Sequence, residues 1–221
     1  MKFASLLFLS FLFSAITLQA QDPLRFAEEV SKFEGDQGSM DKENLILFTG
    51  SSSIRLWVDF DSYFPNHNVL NRGFGGSETS DLIHFADELI LKYSPSQIFI
   101  YEGDNDINSG EKPGRIIKEM KQLLGMIREV PALAEVPVVL ISAKPSIARI
   151  HLKKQYLSFN KKLEKLADKQ ANCRYVDVWS IMFDEEGELR EDIFIEDNLH
   201  MNKRGYDIWI KVIEPLLISG K

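Results

Sequence analysis

Short apolar runs alternate along this chain with longer stretches whose apolar residues recur every three or four positions. The runs are Leu45-Ile46-Leu47-Phe48, Val69-Leu70, Ile98-Phe99-Ile100-Tyr101, Val138-Val139-Leu140-Ile141 and Tyr175-Val176-Asp177-Val178. Most are continuous rather than alternating, as in strands covered on both faces. The sets Ile116/Met120/Leu123/Ile127, Leu152/Tyr156/Phe159/Leu163/Leu166 and Tyr206/Trp209/Ile213/Leu216 each fall on one helical face. Five strands alternating with helices predict an α/β fold: a five-stranded parallel sheet between two helical layers, a three-layer α/β/α arrangement. Sheets of this kind hold their chemistry just beyond the carboxyl ends of the strands.

Composition narrows the function classes. Against 33 Asp and Glu the 221 residues carry 26 Lys and Arg, a formal charge of −7. No broad basic face for nucleic acid is expected from that balance. The single Cys, Cys173, excludes an intrachain disulfide framework and a Cys-rich zinc site. At the start, Lys2 precedes an apolar stretch through Leu6, Leu7, Phe8, Leu9, Phe11, Leu12 and Phe13, with small residues up to Ala20. This pattern predicts a secretory signal peptide over residues 1–20, hence an exported, periplasmic or secreted product with no membrane span after cleavage. Its removal takes away one Lys and no acid, moving the formal charge from −7 to −8. No repeat or linker-like tract interrupts the remainder, so residues 21–221 read as one domain.

Four strand-end segments carry candidate chemistry. After the first run come Thr49-Gly50-Ser51-Ser52-Ser53, a turn offering a hydroxyl and free backbone N–H groups, or simply a Ser-rich helix cap. The second is followed by Gly73-Phe74-Gly75-Gly76-Ser77-Glu78-Thr79, where the glycines permit close backbone approach. Glu102-Gly103-Asp104-Asn105-Asp106 follows the third. A calcium loop starting at Asp104 would need Gly at position 109 and Glu at 115, where Ser109 and Arg115 stand, so the calcium reading fails twice. Near the C-terminus, Asp197-Asn198-Leu199-His200 puts a carboxylate three residues before an imidazole that it could orient.

Taken together, Ser52, Gly76, Gly103-Asp104-Asn105-Asp106 and Asp197-x-x-His200 resemble the blocks of the SGNH/GDSL hydrolase family, in the same order and at comparable spacing. One departure is visible: Ser51 stands where the family's Gly-Asp-Ser block has Asp. The register points to Ser52 as nucleophile, with Ser53 the fallback. The resemblance implies a flavodoxin-like SGNH hydrolase fold and a carboxylic ester hydrolase working through an acyl-enzyme without metal or organic cofactor. Ser52, His200 and Asp197 would be its catalytic residues. The backbone N–H groups of Ser52 and Gly76 and the Asn105 amide would form its oxyanion hole.

The expected substrate is a short acyl ester, acetyl above all, on a carbohydrate or other small neutral alcohol. Few residues remain for a lid or apolar tunnel, and Glu102, Asp104, Asp106 and Asp197 near the site would disfavour anions. Alternatives are a lysophospholipase or lipase-like acylhydrolase, an inactive binding module on the same fold, and a metal-dependent phosphoesterase using Glu102, Asp104 and Asp106. Trp57 reads as core, and Lys144 and Arg149 as solvated charges first and substrate contacts second. Oligomeric state is not legible in the chain.

Overall fold

The central strands are buried on both faces, which is why their sequences are continuously apolar. The computed structural model describes residues 22–35 and 43–219, so the predicted signal peptide lies outside the described residues. Its strands are β1 (Ile46–Gly50), β2 (Val69–Gly73), β3 (Gln97–Tyr101), β4 (Val138–Ile141) and β5 (Cys173–Val176), all parallel, in the order β2-β1-β3-β4-β5. The helices are α1 (Ala27–Ser31), α2 (Ser52–Arg55), α3 (Phe60–Tyr63), α4 (Thr79–His84), α5 (Ala86–Leu89), α6 (Asp104–Asn108), α7 (Pro113–Glu129), α8 (Lys153–Ala167) and α9 (Lys203–Ile213).

Alternate residues of each strand serve opposite layers, as the two-residue period of a strand requires. Leu47, Ile98, Ile100, Val138 and Leu140 pack with Ile116, Met120, Leu123 and Ile127 of α7 and Tyr156, Phe159 and Leu163 of α8. The other face, Ile46, Phe48, Phe99, Val139 and Ile141, packs with Trp57, Phe60 and Phe64 and with Tyr206, Trp209 and Ile213 of α9. Trp57 is therefore core, stacked on Tyr206 with ring centroids 4.9 Å apart. Among the described residues no helix is long and apolar enough to cross a membrane.

The last strand sits earlier than its apolar run suggests. It ends at Val176 because the Asp177 carboxylate accepts the backbone N–H groups of Trp179 (2.9 Å) and Ser180 (3.1 Å), turning the chain out of the sheet. Leu152 and Leu216 likewise lie in 3₁₀ turns flanking α8 and α9 rather than inside them. In this strand order the connections from β1 and β3 leave towards opposite faces, opening a crevice at their carboxyl ends.

Candidate active site

Gly50 turns the chain off β1 at φ +130°. A Cβ there would lie 2.0 Å from the Tyr101 carbonyl oxygen, so only glycine permits β1 to end this close to β3. Ser51 then donates its N–H to that same carbonyl at 3.1 Å, and its own oxygen accepts from Ile54 (2.9 Å) and Arg55 (3.2 Å), starting α2. Ser52 is thereby the first residue of the helix, with its hydroxyl over the crevice and its N–H unpartnered among the described residues. Ser53 is buried beneath it. Its hydroxyl meets the Tyr101 phenol, and its carbonyl accepts from Tyr206 at 3.0 Å. The two serines thus face opposite ways.

His200 comes from a turn built around one carboxylate. Asp197 Oδ1 accepts the N–H groups of Leu199 and His200, both at 2.9 Å, while Oδ2 lies 2.5 Å from His200 Nδ1. The opposite ring nitrogen, Nε2, is 2.9 Å from Ser52 Oγ. Asn202 caps α9 immediately afterwards by accepting from Arg204 at 2.9 Å. Burial works against the Asp197 anion, but the hydrogen bonds from His200 and Leu199 outweigh it and hold its carboxyl down at about 2.

Gly76 and Asn105 follow the carboxyl ends of β2 and β3. Gly76 adopts φ +80° in open space, and its N–H is unpartnered among the described residues. Asn105, on α6, donates one amide N–H to the Ser77 carbonyl at 2.9 Å, and its Oδ1 accepts from Arg149 Nη1 and Nη2, both at 3.1 Å. The Asp197, His200 and Ser52 side chains are thus in contact, while Asn105 is tied to Ser77, the neighbour of Gly76. The arrangement can pass a proton from a serine hydroxyl to an imidazole and present N–H donors to an anion beside it.

Several residues read differently in the structure. Lys144 and Arg149 are not solvated: Lys144 is 1% exposed, and the Arg149 side chain 12%. Lys144 Nζ donates to the Leu199 carbonyl at 2.6 Å, and Arg149 Nη1 to Asp104 Oδ1 at 2.6 Å. Buried Asp104 is the physical reason. Burial alone would raise its pKa, but the charges of Lys144 and Arg149 and a hydrogen bond from Tyr156 pull it below the ordinary value. A lysine three residues past the end of an apolar strand was the available signal for this network.

The acidic cluster also carries less charge than its count of carboxyls suggests. Burial, and then the charge of Asp106, push the Glu102 pKa well above the ordinary carboxylate range. Its Oε1 accepts the Ser77 hydroxyl at 2.6 Å. Burial raises Asp106 to about 7 against hydrogen bonds from the Thr79 N–H, at 3.0 and 3.2 Å. With Asp104 neutralised by its cations as well, this cluster repels anions less than three free carboxylates would.

A cavity of about 680 Å³ adjoins His200 between α3 and α9, with Leu56, Val58, Tyr63, Ile195, Met201 and Ile210 among its walls. The exposure of Val58 (71%) and Ile195 (45%) makes it an open trough rather than a tunnel.

A model of the GDSL-like Lipase/Acylhydrolase family matches residues 49–208. A GDSL-like lipase from Bacteroides thetaiotaomicron superimposes with a TM-score of 0.71 at 19% identity, over 89% of this chain and 97% of that one. A catalytic mutant of an acetylxylan esterase from Geobacillus stearothermophilus gives 0.66 at 13% identity, over 80% and 94% respectively. Among curated proteins none matches this chain significantly.

Proposed function

The chain belongs to the GDSL-like lipase/acylhydrolase family and is a carboxylic ester hydrolase; we propose that it is an exported enzyme removing short acyl groups, acetyl above all, from carbohydrate. The observation that carries the chemistry is the unbroken chain of contacts from Asp197 through His200 to Ser52, at 2.5 and 2.9 Å. Ser52 Oγ attacks the ester carbonyl as His200 Nε2 takes its proton, and Asp197 holds the resulting imidazolium. The tetrahedral oxyanion is met by the N–H groups of Ser52 and Gly76 and by the Asn105 amide. Collapse expels the alcohol, which takes the proton from His200. Water, activated by the same imidazole, then releases the acid and restores Ser52.

The apolar leader over residues 1–20 supports export, which would put the enzyme among extracellular or periplasmic glycans. The acetylxylan esterase likeness is consistent with a glycan ester, although at 13% identity it speaks only for the fold. A second reading, a lipase-like or lysophospholipase activity, draws support from the trough beside His200. The two separate in kcat/KM for chromogenic acetate, butyrate, octanoate and palmitate esters, followed by acetylated xylan and lysophosphatidylcholine, each with and without chelator. The proposal expects acetate to lead, xylan to be deacetylated and chelator to have no effect. Preference for octanoate or longer, or for the phospholipid, overturns it.

A further inference from the structure

We propose that Arg149 is a positioning residue that locks the Asn105 amide in the one orientation able to serve the oxyanion. The proposal rests on the reading of Asn105 as an oxyanion donor. The two ends of an asparagine amide have nearly the same shape but opposite hydrogen-bonding character. One rotamer presents N–H to the crevice; the other, turned by 180°, presents a carbonyl oxygen that would repel a developing anion. A guanidinium has donors only. With Nη1 and Nη2 both 3.1 Å from Asn105 Oδ1, Arg149 accepts only the first orientation. The Ser77 carbonyl makes the same selection from the other end, because it can only accept and lies 2.9 Å from Nδ2. A turned amide would place N–H against guanidinium and oxygen against oxygen. One N–H of Nδ2 thus remains for the crevice.

The fork is itself immobilised. Arg149 Nη1 donates to Asp104 Oδ1 at 2.6 Å, and Asp104 also accepts from Tyr101 Oη at 3.0 Å and from Tyr156. Lys144 Nζ completes the charge balance 3.9 Å from Asp104 Oδ2. Two charge-assisted bonds into Oδ1 also polarise the amide, strengthening the N–H that it offers. This arrangement is preorganisation: the donor is aimed before charge appears.

The test is a double-mutant cycle on a chromogenic acetate ester, with thermal melts confirming that each variant is folded. Arg149→Lys is the principal variant, because it keeps a cation beside buried Asp104 while losing the planar fork. The second variant, Arg149→Met, removes the fork while leaving Asp104 paired with Lys144, 3.9 Å away, and guards against a folding failure in the first. We expect Arg149→Lys to lower kcat about tenfold or more with KM within about twofold, since an interaction made in the transition state is weakened. In an Asn105→Ala background the same change should cost less than about twofold, because no amide remains to orient. Equal losses in both backgrounds would mean that Arg149 acts independently of Asn105 and would overturn the proposal. A rise in KM at unchanged kcat, marking a substrate contact, or no effect at all would do so too. Full activity in Asn105→Ala alone would remove the oxyanion reading itself, a failure distinguishable from the others.

Discussion

Asp197 holds His200 at two points: Oδ1 accepts the backbone N–H at 2.9 Å, and Oδ2 lies 2.5 Å from the ring Nδ1. The carboxylate therefore fixes both the turn that carries the imidazole and the tautomer that leaves Nε2 facing Ser52.

This grip shapes the pH dependence. With Asp197 held at about 2, it stays ionised throughout the range in which an imidazole gains a proton. A general base must be unprotonated to take the Ser52 proton, so activity falls on the acid side. The acid limb of kcat/KM should have a slope of one proton, measured between pH 4 and 9. A slope of two, or a profile flat across that range, contradicts the assignment.

The opposed orientations of the neighbouring serines give a sharp contrast. Ser52→Ala should fold normally and lose roughly 10⁶-fold in kcat, the scale found when a serine nucleophile is removed. Ser53→Ala touches only the buried side, where the hydroxyl meets Tyr101, and should keep most of the activity. Steady-state assays of the two purified variants decide it, and an active Ser52→Ala with a dead Ser53→Ala would reverse the assignment.

Asp106 ties stability to pH. Its carboxyl holds a proton up to about 7 in the folded chain, whereas an unfolded aspartate releases it near 3.9. Between those values the folded state binds more protons, so this contribution is fully present below about 4 and is lost as pH rises towards 7. Asp106→Asn abolishes the titration while retaining an acceptor for the Thr79 N–H. The Tm of this variant minus that of the wild type should grow from pH 4 to pH 7.5; parallel curves would show that Asp106 does not titrate in this window.

Two glycines with positive φ should respond differently to alanine. At Gly50 a Cβ meets the Tyr101 carbonyl at 2.0 Å, while at Gly76 nothing lies within 4 Å. Gly76→Ala carries only the left-handed backbone cost, about 1 kcal/mol. Gly50→Ala must also part β1 from β3 and should exceed it by several-fold in urea unfolding. Equal costs would mean that the β1 end is less closely packed than its geometry implies.

The chain by itself determined the strands and the three long helices α7, α8 and α9, because these depend on local periodicity: β1, β3 and β4 carry continuous apolar runs since each is covered on both faces. It also marked the strand ends that carry Ser52, Gly76, Asn105 and the Asp197–His200 turn, since a parallel sheet gathers its carboxyl ends along one edge. The end of β5 was misplaced, because the Asp177 side chain ends the strand by a hydrogen-bonded turn that hydrophobicity does not register. The register favoured Ser52 over Ser53, and the tertiary structure gave the physical reason: Ser52 meets His200, while Ser53 is turned to the core. The tertiary structure alone turned Lys144 and Arg149 from apparent surface charges into buried partners of Asp104, and raised Glu102 and Asp106 above ordinary carboxylates. Protonation and charge pairing follow from burial and from neighbours brought in across distant chain positions, as with Arg149 and Asn105, 44 residues apart. Residue type and order therefore supply the reacting groups, while their charge and aim are decided by what the fold packs around them.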